Sequence, residues 1–291
     1  MDRKLQTTFA GLRHIATIAT PLLRPWDNKK AYLSSDVVRE FAQEGQGLQG
    51  LFKPERAILD RLEAWLTGRH MLDVGVGGGR TTLHFAPIVS SYIGVDYSSS
   101  MIEECKARLG NDFANASLAV ADVRDLARFE SGSFDFVLFS FNGLDSISHV
   151  DRLTALAELY RVCSPDGLVC FSAHNICAAD RLFHPEQKSE LVLAKMRVLI
   201  GQMVLRLLNR SPQRLVRMPH ALVRDGCAHF RIKNYYIRPT EQLAQLSATG
   251  FEDVEVYNYG GARIAPDAID QDRGFMLYYL AAPKGKITQR G

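Results

Sequence analysis

A glycine-rich turn lies between a predicted strand and a predicted helix in the first third of the chain. Asp73 is followed by Gly75, Gly77 and Gly79, each two residues from the last. Glycine has no Cβ and tolerates positive φ, so such a turn lets the backbone approach a ligand closely. Asp96 ends the next apolar strand, about 20 residues on, where a carboxylate can accept hydrogen bonds from ribose hydroxyls. The combination predicts a cofactor site, whereas the glycines alone would fit an ordinary tight turn.

The spacing of these residues departs from the dinucleotide-binding fingerprint. That fingerprint would need a glycine where Arg80 stands. The order from Asp73 to Gly79 instead resembles the first motif of the class I S-adenosylmethionine-dependent methyltransferase family. Three further segments resemble the family in the same order: Asp122 after the third strand, the polar residues 139–145 after the fourth, and the turn 164–168 before the fifth. The resemblance covers roughly residues 54–174, with a looser match from 238 to the last strands.

The resemblance implies S-adenosyl-L-methionine as the cofactor. In the family, the first-motif loop wraps the methionine moiety, and carboxylates after the second and third strands hold the ribose and lie near the adenine amino group. The predicted cofactor-binding residues are therefore Asp73, Gly75, Gly77, Gly79, Arg80, Asp96, Tyr97, Met101, Asp122, Val123 and Ser140. For two of these residues an alternative stays open. Arg80 would equally suit a solvated first-turn position, and Met101 would equally suit the core.

Polar residues after strands four and five are the predicted catalytic residues. His174 follows strand five, and Asn142 and Asp145 follow strand four. Ligands gather at the carboxyl ends of strands in open α/β sheets. A methyl transfer is an in-line displacement, and it needs a general base only if the nucleophile arrives protonated. The alternatives are a structural histidine bonded to nearby backbone and ordinary loop capping by the other two side chains.

Strands alternate with helices between residues 54 and 174. The predicted strands are 71–74, 92–95, 118–121, 134–139, 168–172, 254–257 and 275–281; the predicted helices are 54–67, one from about residue 80, 99–109, 150–163 and 240–249. This alternation predicts a doubly wound α/β fold with a mostly parallel, seven-stranded sheet, Rossmann-like by resemblance. The predicted domains are an N-terminal helical cap (1–53), a cofactor-binding domain (54–174 and 238–291) and a helical insertion after strand five (175–237). Tyr32 in the cap is a further candidate for covering the cofactor.

The predicted insertion carries most of the positive charge. Residues 181–233 contain 11 Lys/Arg and 3 Asp/Glu, a balance of +8; the whole chain is +3, so the remainder is −5. Lys188, Lys195, Gln202 and Asn209 recur every seven residues within one helical pattern that shows no clear strand. This pattern predicts a helix with one broad apolar face. Three roles stay open for this helix. It could pack on the domain with a solvated basic rim, cover an anionic or lipid-linked acceptor as a lid, or contact an anionic membrane surface.

Bulk composition narrows the possible functions. The chain has 291 residues, is 46% hydrophobic and has a pI near 8.6, a balance too mild to require a nucleic-acid partner. Its five cysteines show no C-x-x-C pairing, which favours reduced thiols and predicts no metal site. The first residues do not resemble a signal peptide, because Arg13 and His14 interrupt the apolar stretch, and no apolar run approaches a membrane span; we expect a cytoplasmic protein.

The function predicted from the sequence is methyl transfer to a small-molecule or glycan acceptor, at oxygen or nitrogen. One alternative is an RNA or protein methyltransferase, although no nucleic-acid-binding module is apparent in the sequence. The segment Ser140-Phe-Asn-Gly143 also lacks the asparagine-proline-proline-tyrosine type motif of enzymes that methylate exocyclic nitrogens of bases. A second alternative is a protein that binds S-adenosylmethionine without turnover.

Overall fold

The computed structural model describes residues 28, 33, 50–110, 112–184 and 192–284, without the side chains of residues 192–194 and 197. Most of the predicted N-terminal cap, including Tyr32, and Lys188 of the insertion lie outside the described residues. Within them, Asn28 is helical and buried, and Leu33 lies in an exposed turn.

Ten strands and seven α-helices make up the described chain. The strands are β1 (His70–Val74), β2 (Ser91–Asp96), β3 (Ala116–Val120), β4 (Phe134–Phe139), β5 (Cys163–Asn175), β6 (His220–Val223), β7 (Asn234–Ile237), β8 (Phe251–Tyr257), β9 (Arg263–Ile264) and β10 (Met276–Pro283). The helices are α1 (Lys53–Leu66), α2 (Thr82–Phe85), α3 (Ser99–Leu109), α4 (His149–Val162), α5 (Val192–Leu208), α6 (Pro212–Leu215) and α7 (Pro239–Thr249). Short 3-10 segments cover Gly143–Ser146, Ile176–Phe183 and Ile269–Gln271. None of the described helices is long and apolar enough to cross a bilayer.

All ten strands belong to one mixed sheet. Its order is β3-β2-β1-β4-β5-β10-β8-β9; the first five strands of this order run parallel, and β10 pairs antiparallel with both β5 and β8. This confirms the predicted doubly wound, mostly parallel α/β fold, in which one face packs under α4 and α7 and the other under α1 and α2. The predicted count of seven strands is wrong, because β6, β7 and β9 are too short to give a periodic signal.

The insertion is not purely helical. β6 and β7 form an antiparallel pair, and β7 extends the sheet by pairing parallel with the end of β5 through His174↔Tyr236 and Asn175↔Ile237. The helical pattern also stops at Leu208, and Pro212 begins the separate helix α6. Asn209, directly after α5, connects this point of the chain to the backbone of Arg224. Its Nδ2 donates to the Arg224 carbonyl at 2.9 Å, and its Oδ1 accepts from the Arg224 N–H at 2.8 Å.

The helix after the glycine turn is short. α2 has only four residues, starts two residues later than Arg80, and is followed by Pro87, which cannot donate a helical hydrogen bond. β3 also ends at Val120, so Asp122 lies two residues beyond the strand instead of directly at its end. The carboxyl ends of β1, β2, β4 and β5 nevertheless meet at one edge of the sheet, where the predicted site residues follow.

Candidate active site

A cavity of about 400 Å³ opens at the carboxyl ends of β1, β2 and β4. Its size suits a small organic ligand. Its lining includes most of the predicted site residues: Asp73, Gly75, Gly77, Arg80, Asp96, Tyr97, Met101, Asp122, Val123, Ser140 and Asn142. Gly79, Asp145 and His174 lie behind this lining.

The three predicted glycines of the loop, Gly75, Gly77 and Gly79, all have positive φ, but they have different surroundings. A Cβ on Gly75 would meet the Phe139 ring at 2.7 Å, and one on Gly79 would meet the Cys105 Sγ at 2.8 Å. A Cβ on Gly77 would meet nothing nearer than the Gly75 carbonyl at 3.9 Å, although its φ of +53° still favours glycine. Gly75 and Gly79 therefore allow close packing of the loop, and Gly77 faces the open cavity.

The Asp96 carboxylate lies directly behind the glycine loop. It accepts the N–H of Gly77 at 3.2 Å and the N–H of Ser98 at 2.9 Å, and the residue is 8% exposed. Burial raises the pKa of this carboxyl, and the two backbone hydrogen bonds partly offset that effect. Each carboxylate oxygen retains a lone pair beyond the one in use, so Asp96 can accept hydrogen bonds from vicinal hydroxyls in the cavity.

Asp73 supports the loop from beneath. Its Oδ2 accepts hydrogen bonds from Thr81 Oγ1 and from the Tyr92 hydroxyl, each at 2.5 Å. Its burial, at 1% exposure, raises the pKa of the carboxyl to about 6 despite these bonds. The observed contacts therefore tie the end of β1 to β2 and to the loop, and contact of Asp73 with a cofactor stays a prediction.

Arg80 is buried in an ion pair, so the alternative of a solvated first-turn residue is wrong. Its two terminal guanidinium nitrogens lie 2.5 and 2.7 Å from the Glu55 carboxylate oxygens, and the guanidinium covers the Phe52 ring at 4.5 Å. Ser140 Oγ also donates to Glu55, and the Tyr278 hydroxyl does so at 3.1 Å. Glu55 was not among the predicted site residues; at the start of α1 it accepts the Phe52 N–H at 2.7 Å, as a glutamate in the first helical turn commonly does.

The predicted adenine side of the cavity contains a second ion pair. Arg124 binds both oxygens of Asp122, at 2.9 and 2.6 Å, and also lies 3.3 Å from Asp151. Tyr97 is half-buried beside Asp122, and burial raises the pKa of its hydroxyl. Met101 both packs in the interior, at 7% exposure, and lines the cavity, so its two predicted roles are compatible.

The three predicted catalytic residues form one hydrogen-bonded relay with a buried arginine. Asn142 Nδ2 lies 3.1 Å from His174 Nε2, and His174 Nδ1 lies 2.8 Å from Asp145 Oδ2. The other Asp145 oxygen accepts from Arg152 at 2.5 Å, where both side chains are fully buried. Because Asp145 Oδ2 accepts from Nδ1 of His174, that nitrogen carries the proton and Nε2 accepts from the Asn142 amide.

The relay meets the cavity at Asn142. This residue has a left-handed backbone (φ 57°), its N–H donates to Ser172 Oγ at 2.7 Å, and its buried Oδ1 has no hydrogen-bond partner among the described residues. The His174 ring hydrogen-bonds to the side chains of Asn142 and Asp145 and stacks on the Tyr236 ring at 4.6 Å. The alternative of a structural histidine whose ring bonds nearby backbone therefore does not describe it. A catalytic role for the three residues stays a prediction.

The insertion lies beside the cavity. None of the described residues that line the cavity belongs to residues 175–237, so the predicted lid has no counterpart in this lining. Asn28 links the two, because its Nδ2 donates to the Ser146 carbonyl at 2.5 Å and to the Lys233 carbonyl at 2.8 Å. Within the described residues, no group of His, Cys, Asp and Glu side chains could hold a metal ion.

Comparisons with known proteins agree with the resemblance. Residues 71–167 match a family described as "Methyltransferase domain". The chain is 33% identical over 122 residues to the ubiquinone/menaquinone biosynthesis C-methyltransferase UbiE of Citrifermentans bemidjiense, covering 39% of this chain and 50% of that protein. It is 36% identical over 108 residues to the demethylmenaquinone methyltransferase of Lactococcus lactis, covering 36% and 41%. The matched part thus spans half or less of these curated relatives.

Solved structures share the fold at low sequence identity. An S-adenosylmethionine-dependent methyltransferase from Clostridium acetobutylicum superposes with a TM-score of 0.58 at 13% identity, covering 85% of this chain and 99% of that one. The 1,6-didemethyltoxoflavin-N1-methyltransferase of Burkholderia thailandensis gives 0.56 at 16% identity, covering 90% and 92%. Residues 71–167 therefore match a methyltransferase family model, and the chain shares its fold with these methyltransferase structures.

Proposed function

We propose that this chain transfers the methyl group of S-adenosylmethionine to a small-molecule acceptor. One observation carries the proposal: a single cavity joins the glycine loop, with Asp96 behind it, to Asn142, and His174 and Asp145 continue the relay behind Asn142. The open space beside Gly77 and the spare acceptor capacity of Asp96 fit the loop and ribose of such a cofactor. When bound, the cofactor supplies an activated methyl carbon on a sulfonium, ready for in-line displacement.

The acceptor we propose is a flat aromatic ring with a hydroxyl group. The cavity beside Asn142 is lined by Phe139, Phe141 and Ile147, which offer apolar contacts to a ring. Relatives named for quinone biosynthesis, among them a C-methyltransferase, support the ring of this acceptor, whereas transfer to its hydroxyl oxygen rests on the relay behind Asn142. The Oδ1 of Asn142 would then accept the hydrogen bond that orients the acceptor hydroxyl.

His174 is the proposed general base. As the acceptor oxygen bonds to the methyl carbon, the Asn142 amide, which now donates to the lone pair of His174 Nε2, would turn away, and the hydroxyl proton would pass to Nε2. Asp145 would stabilise the resulting imidazolium, because its carboxylate already binds Nδ1 at 2.8 Å. Arg152 donates to the other oxygen of Asp145 and is a positioning residue.

Calorimetry tests the cofactor assignment. S-adenosylhomocysteine, the demethylated cofactor, is expected to bind with one site per chain, and NAD is the matched control because it also presents an adenine and a ribose. No heat with S-adenosylhomocysteine at millimolar concentration, together with binding of NAD, would refute the assignment.

Single-turnover kinetics test the relay. With a hydroxylated quinol precursor as acceptor, His174→Gln is expected to lower the methyl-transfer rate about 10²–10⁴-fold, the usual contribution of general acid–base catalysis, at unchanged cofactor affinity. His184→Gln is the matched control, since His184 is exposed and lies outside the cavity lining. Equal rates for the two variants would remove His174 from the mechanism. A labelled methyl group recovered in macromolecules instead of the solvent-extractable fraction would refute the acceptor class.

A further inference from the structure

Helix α5 exposes an apolar stripe to solvent. Met196, Leu199, Met203 and Leu207 are 54%, 58%, 57% and 80% exposed, respectively. They follow one another at intervals of three or four residues, so they lie on one face of the helix. Packing within the described residues does not explain them, because a different face of α5 carries Val204 and Leu205, which are buried in the insertion core.

Positive charge surrounds this stripe. Arg206 and Arg210 are exposed beside its carboxyl-terminal end, and Arg214 and Arg217 are exposed in and after α6. Residues 191–224 contain no Asp or Glu, whereas their Lys and Arg residues are Lys195, Arg197, Arg206, Arg210, Arg214, Arg217 and Arg224. The surface therefore combines apolar side chains with a segment of purely positive charge.

The same surface is rigidly connected to the catalytic end of the sheet. The buried face of α5 packs on the core that contains Phe183, Val223 and Tyr236. Tyr236 lies in β7, pairs with His174 of β5 and stacks on its imidazole. A partner bound to α5 would thus lie against the unit that borders the acceptor end of the cavity.

We propose that α5 is an interfacial helix that docks the protein on an anionic membrane surface. The stripe would enter the boundary between headgroups and acyl chains, and the arginines would contact lipid phosphates. This docking does not depend on the proposed methyl transfer. α5 has 17 residues and, like the other described helices, is not long and apolar enough to cross a bilayer. It would therefore lie in the plane of the surface.

Charge complementarity favours lipid over the other possible occupants. A second copy of the chain would bring the same arginines against each other. Another possible occupant is the segment 1–49 of the same chain. This segment also has a net positive charge, so it would not complement the arginines; it contains seven Lys/Arg (Arg3, Lys4, Arg13, Arg24, Lys29, Lys30 and Arg39) and five Asp/Glu (Asp2, Asp27, Asp36, Glu40 and Glu44). The stripe is also the convex face of one helix, which suits a fluid surface better than a partner that must bind in a groove.

Sedimentation with lipid vesicles tests the proposal on the full-length protein. We expect binding to vesicles of mixed phosphatidylglycerol and phosphatidylcholine, weaker binding to phosphatidylcholine alone, and release by high salt. Leu199→Gln/Leu207→Gln should weaken binding at least about tenfold, because both side chains would lose their burial in the interface. Arg206→Gln/Arg210→Gln/Arg214→Gln should weaken it about a hundredfold, from the usual gain per cation at an anionic surface.

Two matched controls separate the contribution of the α5 surface from the general effects of losing exposed apolar side chains or positive charge. Val120→Gln removes a 50%-exposed apolar side chain on β3, at the far edge of the sheet. Arg56→Gln/Arg61→Gln/Arg263→Gln gives the same net charge as the α5 triple variant but alters exposed arginines of α1 and β9. Both controls should bind vesicles like the unmodified protein.

Two outcomes would overturn the proposal. One is the absence of binding to anionic vesicles, or equal binding by the α5 variants and their controls. The other is a dimer in analytical ultracentrifugation that Leu199→Gln/Leu207→Gln converts to a monomer, which would assign the stripe to self-association. Methyl-transfer activity on a water-soluble acceptor, measured in the same variants, keeps this test separate from that of the proposed function.

Discussion

Two aspartates near the glycine loop differ in what they leave available to a ligand. Both line the cavity, but Asp73 uses Oδ2 for Thr81 and Tyr92 beneath the loop, whereas Asp96 receives only backbone N–H groups. The sequence motif alone does not distinguish the two residues. Their contacts show that Asp73 supports the loop, and binding of a ribose by Asp96 stays a prediction.

Asp96→Ala is expected to weaken binding of S-adenosylhomocysteine without unfolding the protein. Each charge-assisted hydrogen bond to a ribose hydroxyl contributes about 1.5–3 kcal/mol, so each bond lost should raise the Kd at least tenfold. Calorimetry gives the Kd and circular dichroism the melting temperature. Asp60→Ala, at an exposed carboxylate of α1, is the control; equal Kd values for the two variants would show that Asp96 does not hold the ribose.

Asp73→Asn should change how stability depends on pH. The folded pKa of about 6 lies above the ordinary aspartate value of 3.8, so the folded state binds the proton more tightly than the unfolded state. This residue therefore destabilises the fold as pH rises from about 4 to 6, by about 3 kcal/mol from the size of the shift. Urea unfolding at pH 4, 5, 6 and 7 should show Asp73→Asn gaining stability relative to the unmodified protein as pH rises; a constant difference would contradict the raised pKa.

Short-range patterns reveal some site residues, and long-range contacts determine others. The glycines, Asp96 and Asp122 are predictable because a loop between strand and helix fixes their spacing. Glu55 was missed because it reaches Arg80 and Ser140 from a helix 25 and 85 residues away along the chain. No local pattern encodes that contact, which depends on how α1 packs across the sheet.

At the scale of elements, Arg152 joins four segments. From α4 it binds Asp145 in the 3-10 turn, which in turn holds His174 at the end of β5, and it donates to Gln242 of α7 at 2.5 Å. Its side chain is fully buried and also covers the Tyr235 ring at 4.8 Å. The relative positions of the elements around the relay therefore depend on the contacts of the Arg152 guanidinium.

Arg152→Met should cost about 3–5 kcal/mol of stability, because it leaves the buried Asp145 carboxylate without its counter-ion. Denaturant unfolding measures the loss. Asp145→Asn/Arg152→Met should recover part of it, since no uncompensated charge is then buried. Arg161→Met on the same helix removes a partly exposed ion pair with Glu158 and hydrogen bonds to the Phe129 and Leu126 carbonyls, but it leaves no fully buried charge without a counter-ion and should cost less. Similar losses at Arg152 and Arg161 would contradict a burial effect.

Gly77→Ala and Gly201→Ala should have opposite effects on stability. Gly77 has φ +53°, so alanine there costs about 1–2 kcal/mol and places a methyl group in the cavity. Gly201 lies inside α5, where an added Cβ would meet no atom within 4 Å, so alanine should stabilise by about 0.5–1 kcal/mol. Thermal unfolding measures both, and only Gly77→Ala should weaken S-adenosylhomocysteine binding. A stabilising Gly77→Ala would contradict the observed loop conformation.

The accuracy of the predicted elements follows from their length and surroundings. β4 and α3 match their predicted bounds because each is a regular, well-delimited stretch, with Ser98 and Gly110 at the ends of α3. β6 and β7 have four residues each, too few for periodicity to distinguish from a buried helical turn. They exist as strands because β5 extends beyond β4 and offers β7 a free edge.

For the whole molecule, ligand binding should appear as thermal stabilisation. At 100 times its Kd, S-adenosylhomocysteine should add about 2.7 kcal/mol, which corresponds to a rise in melting temperature of about 5–10 °C for a chain of this size. Removal of the ligand by gel filtration should restore the original value. An equal rise with NAD, or no rise at saturating S-adenosylhomocysteine, would contradict a specific site.

The pairing of Asn175 with Ile237 has a consequence for how this chain can be re-engineered. The insertion departs from β5 after Asn175 and ends at Ile237 of β7, and these two residues are direct neighbours across parallel strands. Neighbouring strands lie about 4.8 Å apart, so both ends of a 61-residue segment between them meet at nearly one point. A segment attached in this way can be replaced as a unit. An equivalent segment from a related enzyme can be joined to the same two residues while the strand registers of β1–β4 and β10 stay unchanged. Chimeras built at this junction would transfer surface properties independently of the cofactor site.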